Sequence, residues 1–219
     1  ENLKVKMAGE VKDFNPTLYM DRKESKRMDR YTQFAIVSAT EALADSKLNL
    51  DNINKQRVGV LVGSGIGGLS TIEAQIRSLV NKGPNRVAPL TIPMSISNIA
   101  SGAIAIKFGL LGSSFSITSA CASSTHCIGE AYRNIKDGYS DIIFAGGSEA
   151  SICEFGISSF QSLTALSKSE DRNRASIPFD LNRNGFVMGE GAGVLILEDL
   201  ESALKRGAKI YCEIVGYGT

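Results

Sequence analysis

Phe115-Ser-Ile-Thr118, the segment from Cys121 to Lys136, and Asp141-Ile-Ile-Phe-Ala145 read in order as strand, helix and strand, and this run decides the fold. The outer pieces are short, apolar and rich in β-branched or aromatic residues, as buried strands require, and Gly146-Gly147 closes the second of them. Upstream, Val58-Gly-Val-Leu-Val62 is another short apolar run of the kind a buried parallel strand shows. Thr32 to Ser46 reads as an Ala-rich amphipathic helix, Leu69 to Val80 as a second helix, and Ser97 to Phe108 as a third, whose Gly102 and alanines suit close packing. Downstream, Ser148 to Gly193 reads as irregular. Val194-Leu-Ile-Leu197, a short helix to Arg206, and Lys209 to Val215 then supply two more strands with their connection. Alternating strands and helices predict an α/β sheet with mixed pairing late in the chain.

Composition narrows the function classes. The 219 residues carry 24 Lys plus Arg against 23 Asp plus Glu, a net charge of +1, far from the sustained basic excess of a nucleic-acid module. Apolar residues make up 43%, with 22 Gly and 5 Pro, which argues for a packed core and against disorder. No stretch approaches the roughly 20 apolar residues a spanning helix needs, and Glu1-Asn-Leu-Lys4 does not begin like a signal peptide. The expectation is a soluble protein of the cytoplasm or, in a eukaryote, of an organelle stroma. Cys121, Cys127, Cys153 and Cys212 form no CxxC pair, so free thiols are expected rather than a zinc site or a disulfide framework. Basic residues gather locally: Arg22, Lys23, Lys26, Arg27 and Arg30 fall at helical spacing on one face.

Two features bear on chemistry. Gly63-Ser-Gly-Ile-Gly-Gly68 fits G-x-G-x-x-G between a strand and a helix, the pattern of a dinucleotide loop. A ribose contact wants an acidic residue about 20 positions on, yet Ala74 through Gly129 contains no Asp or Glu. A glycine turn for close packing is the competing reading. Ser119-Ala-Cys-Ala-Ser-Ser-Thr125 places a thiol among small residues at a strand-to-helix junction. The first helical turn offers unpaired N–H groups and the positive end of the dipole, which favour negative charge on sulfur. Attack by such a thiolate on an acyl thioester exchanges one thioester for another, provided amides at the turn hold the oxyanion. A buried, inert cysteine is the alternative. His126, the sole histidine, stands five helical positions on, a rotation of roughly 140° from Cys121, so a structural role is expected of it.

Gly112-Ser-Ser-Phe-Ser-Ile-Thr-Ser-Ala-Cys-Ala-Ser-Ser124 resembles the active-site signature of the β-ketoacyl-[acyl carrier protein] synthases, in particular their type II elongating branch. Val62-Gly-Ser-Gly-Ile-Gly-Gly68, Ala145-Gly-Gly-Ser-Glu149, Phe160-Gln-Ser-Leu-Thr-Ala-Leu-Ser167 and Pro178-Phe-Asp-Leu-Asn-Arg-Asn-Gly-Phe-Val-Met-Gly-Glu-Gly-Ala-Gly193 resemble that family in order and spacing. The resemblance implies a thiolase-like α/β fold of two related halves, each with a five-stranded sheet packed by helices. It makes Cys121 the nucleophile that takes the acyl chain, with its own amide in the oxyanion hole, and it places Ile66, Leu69 and Phe160 along the acyl tunnel. Lys23, Lys26 and Arg27 match the patch on which the acidic acyl carrier protein docks, presenting phosphopantetheine-linked acyl and malonyl groups. A homodimer with Phe115 to Thr118 at the two-fold is implied, and neither metal nor redox cofactor.

The family's decarboxylation chemistry uses two histidines and a lysine in motifs resembling H-G-T-G-T and N-S-F-G-F-G-G-H, and neither motif occurs here. Residues 1–219 are therefore expected to be the nucleophile-bearing N-terminal half of a synthase, without its opening strand and its C-terminal half, and inactive in condensation alone. Thiolases and polyketide synthases share the fold, as does a non-catalytic chain-length-factor subunit, which retention of Cys121 disfavours.

Overall fold

The computed structural model describes residues 3–219. Its centre is a four-stranded sheet in the order β2-β1-β3-β4, formed by β1 (Val58–Gly63), β2 (Ser114–Phe115), β3 (Ile142–Glu149) and β4 (Gly191–Glu198). β1 pairs in parallel with both β2 and β3, and β3 pairs antiparallel with β4, so the pairing is mixed as expected.

β1 is buried along its whole length because helices cover both faces of the sheet. On one face, Val58, Val60, Val62, Ile142 and Phe144 pack against α2 (Arg30–Ser46) and α5 (Ile99–Phe108). On the other, Leu61, Ile143 and Ala145 meet Cys127 and Ala131 of α6 (Ser123–Lys136). Alternate residues thus serve opposite cores, and each fully buried aliphatic side chain stabilises the fold by about 1.5–3 kcal/mol. Gly147 lets α6 come close: a Cβ there would stand 2.7 Å from the Ser124 Cβ.

Two other anchors set the frame of the site. The Asp29 carboxylate caps α2 by accepting from the Tyr31 N–H at 3.2 Å. It also accepts from the backbone N–H (2.9 Å) and hydroxyl (2.6 Å) of Thr71, in the first turn of α3 (Leu69–Lys82). One buried carboxylate therefore ties two helix starts together. Arg30 does not join a basic face. Its guanidinium lies over Phe34 at 4.7 Å and donates to Glu190 at 2.8 Å and to the Val11 carbonyl at 2.9 Å.

Several boundaries differ from the sequence reading. The basic run makes only a four-residue helix, α1 (Arg22–Ser25), and a short α4 (Thr91–Ser95) precedes α5. The irregular stretch contains α7 (Glu154–Ser162), whose Ser- and Gly-rich sequence has weak helix propensity. α8 (Leu200–Lys205) follows β4. Lys209 to Val215 forms no strand, so the sheet has four strands rather than five. A strand needs a ladder partner, and none stands beside this segment among the described residues. Side chains hold it instead: the Tyr211 hydroxyl donates to the Asp45 carboxylate of α2 at 3.0 Å, and just beyond the segment the Tyr217 ring packs on α6 beneath the Arg133 guanidinium, 4.7 Å away. Among the described residues no helix is long and apolar enough to cross a membrane.

Candidate active site

The turn that carries Cys121 is built by its neighbours. Ala120 adopts a left-handed backbone conformation, φ 50°, which costs a non-glycine residue roughly 1–2 kcal/mol. The buried Ser123 hydroxyl offsets that cost. It donates to the Ala120 carbonyl at 2.7 Å and accepts from the Ser119 N–H at 2.8 Å, while the Ala122 N–H donates to the Ser119 carbonyl at 3.1 Å. The result is a compact loop from which Cys121 projects, exposed, two residues before the first residue of α6. The helix thus begins at Ser123 rather than at Cys121 itself, with the thiol just ahead of its N-terminus. Among the described residues no backbone carbonyl accepts from the Cys121 N–H, which leaves that donor available to an oxyanion.

Cys121 opens onto a cavity of about 620 Å³. Its walls come from the glycine loop (Gly63 to Ile66), the start of α6, the end of β3, Phe160 of α7, Phe186 and Met188, and the start of β4. Ile66 and Phe160 line the same cavity as Cys121. Leu69 does not line this cavity. It is buried in the first turn of α3, turned toward α7, where a Cβ on Gly156 would lie 3.2 Å from its Cδ2. Sequence reasoning passed over Phe186 and Met188. Phe186 meets Phe160 edge-to-face with ring centroids 5.5 Å apart. The signal was present in the apolar Phe186-Val-Met188 between glycines, but nothing local says which side of it faces a cavity.

The glycine loop is engaged by the protein's own side chains. The Gly65 N–H donates to Glu149 Oε2 at 2.7 Å. Glu149 Oε1 accepts from the Ser64 hydroxyl at 3.2 Å and from the Ser151 hydroxyl at 3.1 Å, and Ser64 Oγ in turn accepts from the Gly67 N–H at 2.9 Å. A carboxylate from β3 occupies the anion position of the loop, so the packing reading is the one the structure supports.

The other candidates lie elsewhere. Lys23 on α1, and Lys26 and Arg27 just after it, are exposed, with Arg22 beside them, and none lines the cavity. His126 Nδ1 lies 2.6 Å from the Ser119 hydroxyl, and its ring stands 6.3 Å from that of Tyr217, away from the cavity lining. Cys127 is fully buried, and burial pushes its thiol up. Cys153 is raised by burial and by its hydrogen bond to the Glu73 carboxylate. Among the described residues no group of three His, Cys, Asp or Glu side chains could hold a metal ion. An exposed thiol, a Cys121 amide bonded to no backbone carbonyl among the described residues, and an apolar cavity together suit transfer of an acyl group onto sulfur.

Residues 2–203 match the family description "Beta-ketoacyl synthase, N-terminal domain". The chain is 49% identical to 3-oxoacyl-[acyl-carrier-protein] synthase 2 of Synechocystis sp. over 97% of its own length and 51% of that relative. Among solved structures, the ishigamide ketosynthase/chain length factor superposes with a TM-score of 0.90 at 31% identity, covering 100% of this chain and 53% of that one. A type II PKS ketosynthase in complex with its acyl-carrier protein, bound to the hexaketide, matches at a TM-score of 0.81 and 25% identity, over 94% of this chain and 57% of that one. The chain spans about half the length of the curated relatives it matches. Its mixed sheet packed by helices is thus the thiolase-like α/β fold of the ketosynthases, and the chain belongs to the β-ketoacyl synthase family.

Proposed function

We propose that residues 1–219 supply the nucleophile half of a 3-oxoacyl-[acyl carrier protein] synthase that elongates fatty acids. The observation that carries this reading is the placement of Cys121, exposed on a strained turn and facing a cavity walled by Ile66, Phe160, Phe186 and Met188. The Cys121 thiolate attacks the carbonyl carbon of an acyl thioester. The new C–S bond forms as the bond to the carrier's phosphopantetheine sulfur breaks, and that sulfur leaves as a thiolate. While the tetrahedral centre exists, the Cys121 N–H donates to its oxyanion. In the second half-reaction, loss of carbon dioxide from a malonyl thioester generates a carbanion that attacks the acyl-cysteine, extends the chain by two carbons and frees Cys121. Groups outside residues 1–219 serve that step, since these residues contain neither histidine motif.

The exposed cluster of Lys23, Lys26 and Arg27 fits docking of an acidic acyl carrier protein, whose approach it would steer. A homodimer across the β2 edge, where Phe115 is partly exposed, and a location in the cytoplasm or an organelle stroma belong to the same reading. Incubation of the full-length protein with dodecanoyl-pantetheine, followed by intact-mass analysis, is expected to show one acyl adduct, absent from Cys121→Ala. Full acylation of that variant would overturn the assignment.

A further inference from the structure

Glu149 stands where the sheet, the glycine loop and the cavity meet, and its carboxylate is engaged on both oxygens. Oε2 takes the Gly65 N–H at 2.7 Å, and Oε1 takes the hydroxyls of Ser64 and Ser151 at 3.2 and 3.1 Å. Through Ser64, whose Oγ accepts from the Gly67 N–H at 2.9 Å, the network reaches both sides of Ile66. The clearance at Gly65 is small: a Cβ there would lie 3.0 Å from Glu149 Oε2 and 3.3 Å from the carbonyl of Ala120, the residue before Cys121. Glu149 thus joins sheet and loop, and Gly65 of that loop lies close against the turn that carries Cys121. The loop itself has Gly on both sides of Ile66, with Gly67 at φ +79°, so its own backbone does little to fix where Ile66 points.

We infer that Glu149 is a positioning residue for acyl transfer at Cys121: by clamping Ser64 and Gly65 it holds Ile66 as a cavity wall and so favours long acyl chains over short ones. The inference rests on the acyl-transfer reading above. It predicts a loss that depends on the acyl chain. A displaced wall weakens the seating of a long chain, whereas a two-carbon chain or a small alkylating reagent has little use for that wall.

The test compares three reagents on Cys121 of the full-length protein: dodecanoyl-pantetheine, acetyl-pantetheine and iodoacetamide. Glu149→Ala is expected to slow dodecanoylation by about tenfold or more while acetylation and alkylation change by less than about threefold. Glu149→Gln is expected to rescue, because its amide oxygen can accept from the Gly65 N–H while its NH2 group donates to the serine oxygens. Ser64→Ala, which keeps the carboxylate but removes one hydroxyl and the Gly67 bond, should show the same chain-length dependence more weakly. It carries the decision if Glu149→Ala does not fold. Equal slowing with all three reagents would mean a merely structural role, and unchanged dodecanoylation in both Glu149→Ala and Ser64→Ala would remove any role. Either overturns the inference, as does a Glu149→Gln variant as impaired as Glu149→Ala. Wild-type protein that forms no Cys121 adduct with either thioester defeats the acyl-transfer reading and this inference together. Wild-type acylation with indifferent variants defeats the inference alone.

Discussion

Two cysteines stand just ahead of helices in this molecule, and their surroundings send them opposite ways. Cys153 is the residue immediately before α7, and its Sγ accepts from the Gly156 N–H at 3.4 Å, capping the helix. Burial and the Glu73 carboxylate both push its thiol up. Cys121 precedes α6 by two residues, caps nothing, and faces the cavity. The left-handed Ala120 turns the chain so that Ser123, not the cysteine, satisfies the start of the loop. A place just ahead of a helix therefore does not by itself set a cysteine's surroundings. Which side chain satisfies the local backbone groups differs between the two, and only Cys153 is shown with a carboxylate opposing its thiolate.

The largest expected effect is in reactivity. Under limiting iodoacetamide at pH 8, peptide mapping should find Cys121 alkylated at least about tenfold faster than Cys153. Equal rates, or the reverse order, would break the contrast. A smaller effect belongs to the turn. Ser123→Ala deletes one hydroxyl that makes two hydrogen bonds, and it should lower unfolding stability by about 1 kcal/mol in urea titration while also slowing Cys121 alkylation. An unchanged midpoint would show that Ser123 does not hold the turn. The smallest effect sharpens the other side: Glu73→Gln removes the charge that raises the Cys153 thiol, so more thiolate is present at pH 8 and alkylation of Cys153 should rise by about two- to threefold. A slower Cys153 in that variant would reverse the sign of the argument.

The parts of the molecule legible from sequence are those whose environment is uniform. β1 and β3 are covered on both faces, so their apolar runs read directly as strands, and α2 shows its buried stripe. Edges and partnerships were harder. β2 pairs through only two residues, and Lys209 to Val215 has a strand's composition but no ladder to join among the described residues. α7 stayed hidden because its Ser and Gly positions carry little propensity, and its stability comes from packing and from contacts such as that of the Phe155 N–H with Glu73 at 2.9 Å. In the site, Cys121 was readable from its small neighbours, and Ile66 and Phe160 from family resemblance. Leu69, placed along the tunnel by the same resemblance, is buried in the first turn of α3 and does not line the cavity that Cys121 faces. Arg30 and Glu190 are 160 residues apart, and their ion pair appears only when β4 is laid against α2. Glu149 is likewise 84 residues from the loop it clamps.

That internal anion has a wider consequence. A glycine-rich turn at the head of a helix is an open invitation to phosphate in many folds, and cells hold nucleotides at millimolar levels. Here the invitation is already answered by the protein's own acidic side chain. The Gly65 amide that a phosphate would otherwise meet is bonded to the protein's own side chain, and the loop it steadies forms one wall of the cavity that Cys121 faces.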